Sequence, residues 1–209
     1  MPISEWAAVF LSLIAIIAAS SGIFWLLVRR WTTQRHWVAL SDWADLNRFK
    51  LHGEDRAVGP EILKSFTQPP PKVLISLHDV DTAIVQIEAQ PPRGKGTQTV
   101  RWNLLVRKLT RPWPTTGFRP ANSGRSILDY FKLEEMRAMA PTERFVLYGA
   151  QATAARALGR SSVAALLPPD IGMLLIEQNM VLDFSARPFD PLEVERIDAL
   201  AEQIVMHLP

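Results

Sequence analysis

Hydrophobic residues fill the chain from Trp6 to Val28 without a single charged side chain. This length is close to the roughly 20 residues that a helix needs to cross the apolar core of a bilayer. A soluble helix of similar length would carry a polar stripe, which this segment lacks. The pattern therefore predicts a transmembrane helix within residues 1–30.

Small side chains recur along this predicted helix at helical spacing, which places them on one side of it. Such a stripe lets two helix backbones approach closely in lipid, although alanine is also common in membrane helices generally. Its members are Ala8, Ser12, Ala15, Ala19 and Gly22. We interpret the stripe as a face that packs against another membrane protein.

The flanks of the helix predict its orientation. The start, MPISE, lacks the basic residues of a cleavable signal peptide, so we expect a retained anchor. Positive charges stay in the cytoplasm, and Trp prefers the headgroup zone. The predicted interface anchors are Trp6, Trp25, Arg29, Arg30 and Trp31. We expect the N-terminus outside an inner (cytoplasmic) membrane of a bacterium and the following domain in the cytoplasm, where a chain without cysteine fits the reducing conditions.

Residues 31–50 contain HWVALSDWADLNRF, whose apolar positions predict an amphipathic juxtamembrane helix. Its expected buried residues are Trp37, Leu40, Ala44 and Leu46. Residues 51–209 then have the length of one compact domain.

Strand patterns dominate the first half of this domain. KVLISL and TAIVQIEA flank HDVD, which predicts a hairpin. In TQTVRWNLLVRKL, apolar and polar residues alternate, which predicts one buried face and one wet, basic face that carries Arg101, Asn103 and Arg107. The proline-rich TRPWPTTGFRP is expected to be extended, at a sheet edge or in a loop.

Helices and strands mix in the second half. We expect a helix over Ser126 to Met136, a strand in RFVLYG and one or two helices in Ala152 to Leu167. IGMLLIE and MVLDFSA predict a hairpin around Gln178 and Asn179, and Asp190 caps a final helix. The predicted fold is α+β, with a mainly antiparallel sheet, packed helices and the N-terminal transmembrane helix.

Charge is balanced overall, with 23 Lys and Arg against 21 Asp and Glu, and a neutral domain argues against nucleic acid as a partner. Between Ala89 and Leu128, however, no residue is acidic. The candidate basic patch in this stretch consists of Arg101, Arg107, Lys108, Arg111 and Arg119. It would face anionic lipid headgroups, meet an acidic partner, or simply neutralise internal acids such as Asp183 and Glu193.

Motifs for chemistry are weak. His78, Asp79 and Asp81 resemble metal ligands, but an Asp-rich connection is also what a hairpin turn requires. PRGKGT precedes a strand, whereas a phosphate loop precedes a helix. We therefore predict no catalytic residue, no metal and no cofactor.

The order of features resembles an uncharacterised family of bacterial single-pass membrane proteins. The resemblance rests on the anchor, the TQTV strand, the run RFVLYGAQATAARAL and the capped last helix. It implies the architecture and supplies no activity.

These patterns together predict a non-catalytic accessory subunit that docks onto a larger integral membrane complex, with photosynthetic or respiratory assemblies as candidate hosts. The alternative is a membrane-tethered sensory domain that binds a lipid or a small ligand through its basic face.

Overall fold

The computed structural model describes residues 21, 24, 25, 28, 31, 34–65, 70–90, 99–131, 133–135 and 143–209. The chain divides into two compact units, Met1–Asp42 and Trp43–Pro209. Most of the predicted anchor lies outside the described residues, including Trp6, Ala8, Ser12, Ala15, Ala19, Gly22, Arg29 and Arg30. Across the described part of the chain, no helix combines the length and the apolar character needed to cross a bilayer.

The first helix, α1, covers residues 34–46 and has the predicted amphipathic pattern only in part. Leu40 and Ala44 are buried as expected, but Trp37 and Leu46 are exposed. Trp43 is buried instead and packs against Phe49, with 5.1 Å between the ring centroids. The helix ends where the Phe49 amide donates to the Ala44 carbonyl and Arg48 adopts a positive φ of 63°.

Strands β1 (Lys50–Gly53), β2 (Lys72–His78) and β3 (Thr82–Ala89) form an antiparallel meander. The predicted hairpin between β2 and β3 is confirmed, and its turn is the Asp79 to Asp81 connection. Strand β1 was not expected from the sequence, because KLHG is too short and too polar to show an alternating pattern. The meander pairs with the next strand through β3.

Strand β4 (Val100–Pro120) is 21 residues long and forms an antiparallel ribbon with β7 (Gly172–Asp183). The opposite edge of β4 pairs with β3 along its first part and with β6 (Phe145–Gly149) along its last part. The two-residue strand β5 (Glu134–Glu135) pairs with β6 and completes a sheet that has seven strands among the described residues. The proline-rich segment is therefore extended, as predicted, and belongs to the sheet.

The predicted hairpin at Gln178 and Asn179 is wrong, because both halves of β7 pair with β4 and not with each other. The ribbon is nevertheless sharply bent. A straight strand of 12 residues would span roughly 40 Å, yet a Cβ on Gly172 would lie 3.5 Å from the Cβ of Asp183. The ladder shifts register between Lys108 and Thr116, and Glu177 has a positive φ of 51°. Such irregularities let a strand turn a corner from one half of a sheet to the other.

The bent ribbon encloses the main apolar core. Side chains from both halves of β7 meet those of β3 and β4 in one cluster of buried residues: Val85, Ile87, Ala89, Trp102, Leu104, Val106, Leu174 and Val181. A 3-10 turn at Ile127–Tyr130 contributes Ile127 and Leu128 to this cluster, and another at Glu61–Ser65 contributes Leu63. The predicted helix over Ser126 to Met136 is reduced to the first of these turns, and Glu134 and Glu135 are in β5.

Helix α4 (Pro191–His207) covers the other face of β4, so the expectation of a wet face is wrong at Asn103 and Arg107, whereas Arg101 is exposed as predicted. Asn103 and Leu105 are buried on that face, because the helix and the segment before it lie over them. The start of α4 is as predicted: the Asp190 carboxylate accepts from the Glu193 amide, and Pro191 follows at the first helical position.

Helices α2 (Ala152–Arg160) and α3 (Val163–Leu166) confirm the prediction of one or two helices in this part of the chain. The α+β class and the mainly antiparallel sheet are confirmed.

Candidate functional site

The two ends of the β4–β7 ribbon meet at a cleft of about 230 Å³, which we call the ribbon cleft. It is lined by the first residues of β4, the last residue of β4 and both ends of β7. Its polar side chains are Arg101, Ser123, Arg125, Asp170, Asp183 and Ser185. The bend of the ribbon creates this cleft, since only the bend brings strand ends that are far apart in sequence to one place.

Asp183 is the buried acid of the cleft. One carboxylate oxygen accepts from the Ser185 amide at 3.1 Å and from the Ser185 hydroxyl at 2.5 Å. The other accepts from the Ile127 amide at 3.1 Å, which ties the end of β7 to the 3-10 turn. Burial raises the pKa of Asp183, and these hydrogen bonds, which favour the charged form, only partly oppose it.

Asp170 is held by a different set of contacts. Both of its carboxylate oxygens accept from the Arg187 guanidinium, at 2.7 and 2.8 Å. The same guanidinium donates to Glu193 at 2.6 Å, next to the start of α4. The hydrogen bond from Arg187 lowers the pKa of Asp170. Both acids of the cleft thus already have their oxygens occupied by protein donors.

The two arginines of the cleft differ from its acids. Arg101, on β4, and Arg125, in the loop after β4, are both exposed. Among the residues that the structure describes, no carboxylate lies within 4.0 Å of either guanidinium. The loop that carries Arg125 is braced, because the Ser123 hydroxyl donates to the Arg125 carbonyl and Arg119 donates to the Ser123 carbonyl at 3.1 Å.

The five residues of the candidate basic patch do not form one surface. Arg107 donates to Asp198 at 2.6 Å and to Thr82 at 3.0 Å, and Arg119 donates to Asp129 at 2.8 Å. The Arg111 guanidinium donates to the Pro209 carbonyl and lies 5.7 Å from the Trp113 ring centroid. The remaining two belong to separate clefts, Arg101 to the ribbon cleft and Lys108 to a cleft beside the β2–β3 turn.

That second cleft, of about 170 Å³, contains His78, Asp79 and Asp81, the residues that resemble metal ligands in the sequence. The Asp79 amide donates to the Thr82 carbonyl, as in a tight hairpin turn, and the Asp81 carbonyl accepts from the Lys108 amide of β4. The His78 ring instead contacts the Val58 carbonyl through Nε2. Within the described ranges, no three His, Cys, Asp or Glu side chains are placed to hold a metal ion.

Of the predicted interface anchors, the structure describes Trp25 and Trp31. Both are helical and more than half exposed, at 59 % and 53 %. The Arg35 guanidinium carbon lies 3.5 Å from the centroid of the Trp31 ring, a close cation–π contact.

Arg125, Asp170 and Ser185 were not predicted from the sequence as site residues. An acid that closes an apolar strand, as Asp183 closes MVLD, is a signal for a buried carboxylate, and a serine two residues later is a suitable local donor. No comparable signal connects Asp183 with Ile127, which lies 56 positions away.

No family model matches the chain, and comparisons with curated proteins and with solved structures give no match either. The resemblance to a family of single-pass membrane proteins therefore stays a prediction.

Proposed function

We propose that this protein is a non-catalytic accessory subunit, anchored by one transmembrane helix and docked onto a larger integral membrane complex of the bacterial inner membrane. The observation that carries the proposal is the uncharged apolar run from Trp6 to Val28 with small residues along one side. The bilayer and integral membrane subunits are its partners, and the α+β domain lies on the cytoplasmic side.

Side chains at the end of the proposed anchor support its contact with an apolar phase. Phe24, Val28 and Trp31 follow one another at helical spacing, and all three are exposed. Contiguous apolar surface of this kind is unusual in contact with water and is typical of membrane or protein interfaces. Trp31 stacked on Arg35 joins an aromatic ring to a positive charge, a combination that suits the cytoplasmic headgroup region.

The contacts of the basic residues argue against recognition of a lipid surface by the whole basic face. Arg107 and Arg119 make short ion pairs with Asp198 and Asp129, at 2.6 and 2.8 Å. Their side chains are 13 % and 23 % exposed, so binding to headgroups would require breaking partly buried pairs. A lipid-binding face would instead keep most of its cations free in solvent.

The proposal is tested by extracting the tagged full-length chain from its native membrane in mild detergent and identifying the co-purified proteins by mass spectrometry. A defined set of integral membrane subunits in fixed ratio is expected. Ala15→Leu and Ala19→Leu should reduce this recovery, because a bulky side chain separates the packed helices. Ile14→Leu, on another side of the helix, is the matched control. Equal recovery for all three variants would contradict packing through the small-residue stripe.

A further inference from the structure

We propose that the ribbon cleft is a binding site for a phosphate group, held by Arg101 and Arg125. The juxtaposition of these two guanidiniums in one small cleft does not depend on the anchor or on a partner subunit. The site therefore goes beyond the docking function and can be tested separately.

The charges of the cleft point to an anion. Asp170 gives both oxygens to Arg187, and Asp183 gives both oxygens to Ser185 and Ile127. The acids are therefore satisfied within the protein. The guanidiniums of Arg101 and Arg125 line the same cleft without a carboxylate partner in the described part of the chain. Asp170 is paired with Arg187 and Asp183 is buried, so Arg101 and Arg125 are the exposed cations of the described cleft that remain for an anion.

The combined charge and hydrogen-bond donors of Arg101 and Arg125 indicate the kind of anion. A phosphate monoester carries about −1.5 to −2 charges at neutral pH and offers three acceptor oxygens. Two guanidiniums balance that charge and can each donate two parallel hydrogen bonds to its oxygens. A single carboxylate would leave one of the two cations unbalanced. Phosphate therefore fits the pair of Arg101 and Arg125 better.

The size and the rigidity of the cleft fit a small group. Its volume of about 230 Å³ lies below the roughly 300–1,000 Å³ of pockets that enclose drug-sized ligands. Arg101 projects from β4, which pairs with β3, and its cross-strand neighbour is Glu88. Arg125 is presented by the loop that Ser123 and Arg119 brace. The backbone that carries each guanidinium is held in this way, so an anion has to order only the two side chains.

The phosphate group could belong to a soluble molecule or to a phospholipid headgroup, and the experiment separates the two. The purified full-length chain in a neutral detergent is titrated with inorganic phosphate by calorimetry. In a parallel assay, the chain is reconstituted into phosphatidylcholine vesicles and allowed to exchange phosphatidic acid from added vesicles. Saturable binding of inorganic phosphate indicates a soluble ligand, whereas capture of phosphatidic acid alone indicates the headgroup.

Arg101→Gln and Arg125→Gln should each weaken binding by about tenfold or more, because each removes a charged hydrogen-bond donor. Lys108→Gln is the matched control, since it removes one exposed positive charge from the other cleft; it should change the affinity less than about twofold. The proposal is overturned if neither probe binds saturably to the wild type, or if all three variants lose affinity equally. Recovery of a membrane complex in the co-purification experiment has no bearing on this result.

Discussion

Gly172 and Asp183, at the two ends of β7, lie against each other: a Cβ on Gly172 would be 3.5 Å from the Cβ of Asp183. This proximity follows from the bend of the β4–β7 ribbon, and both residues line the ribbon cleft. The bend also brings Gly117 of β4 against the backbone of β7, where a Cβ would lie only 2.2 Å from the Met173 carbonyl oxygen.

Substitutions at the two glycines should differ in their effect on stability. Gly117→Ala should lower the free energy of unfolding by about 3 kcal/mol or more, because backbone cannot move aside as a flexible side chain can. Gly172→Ala meets only ordinary contacts of 3.5 and 3.6 Å and should change it by less than about 1 kcal/mol. Urea unfolding of the full-length chain followed by circular dichroism measures both. Similar losses for the two variants would contradict the described bend.

Arg107→Gln should lower the free energy of unfolding by about 1–3 kcal/mol. The substitution leaves the Asp198 carboxylate without the guanidinium that donates to it at 2.6 Å, and burial already raises the pKa of this acid. Arg101→Gln, on the same strand but exposed, should change the free energy by less than about 0.5 kcal/mol. The same urea titration compares the two. Equal effects would indicate that Arg107 is as weakly coupled to the fold as Arg101.

Periodicity predicted most strands and helices of this chain but not which strands pair. The break in the apolar pattern at Gln178 and Asn179 lies next to the bend at Glu177. A hairpin and a bent edge of a long ribbon give the same local pattern, because the choice depends on β4, about 70 positions earlier in the sequence. Strand alternation also misjudged Asn103, since it cannot show that α4 returns to cover the second face.

The ribbon cleft was even less accessible to prediction from sequence. The acid-free stretch from Ala89 to Leu128 contains both Arg101 and Arg125, but only Arg101 belongs to the predicted basic patch. Which of the basic residues in this stretch stay unpaired is decided by acids that folding brings close, such as Asp198 to Arg107 across 91 positions. Charge segregation along a chain is visible in sequence, whereas charge pairing is a property of the tertiary structure.

The pH dependence of stability should report on His78. Burial lowers the pKa of its imidazole below 6.5, with an opposing contribution from the Val58 carbonyl. The unfolded chain then binds a proton that the folded chain does not, so the stabilising contribution is present above 6.5 and is lost as pH falls through the folded pKa. His78→Gln should remove this loss in urea titrations at stepped pH. His52→Gln, whose ring lies 6.3 Å from that of His78, should retain it, and a flat wild-type profile would contradict the assignment.

The contribution of Asp183 to stability should change with pH in the opposite direction from that of a paired surface acid. Because burial raises the pKa of its carboxyl above 3.8, its contribution to stability is fully present below that value and is lost as pH rises through the folded pKa. Asp183→Asn should therefore abolish a fall in the free energy of unfolding with rising pH. Asp170→Asn is the control: Arg187 lowers the pKa of Asp170, so this acid stabilises above 3.8 and its contribution is lost as pH falls. Urea titrations at stepped acidic pH, analysed as differences from the wild type, should give slopes of opposite sign for the two variants. Slopes of the same sign would mean that the hydrogen bonds to the Asp183 carboxylate outweigh the effect of its burial.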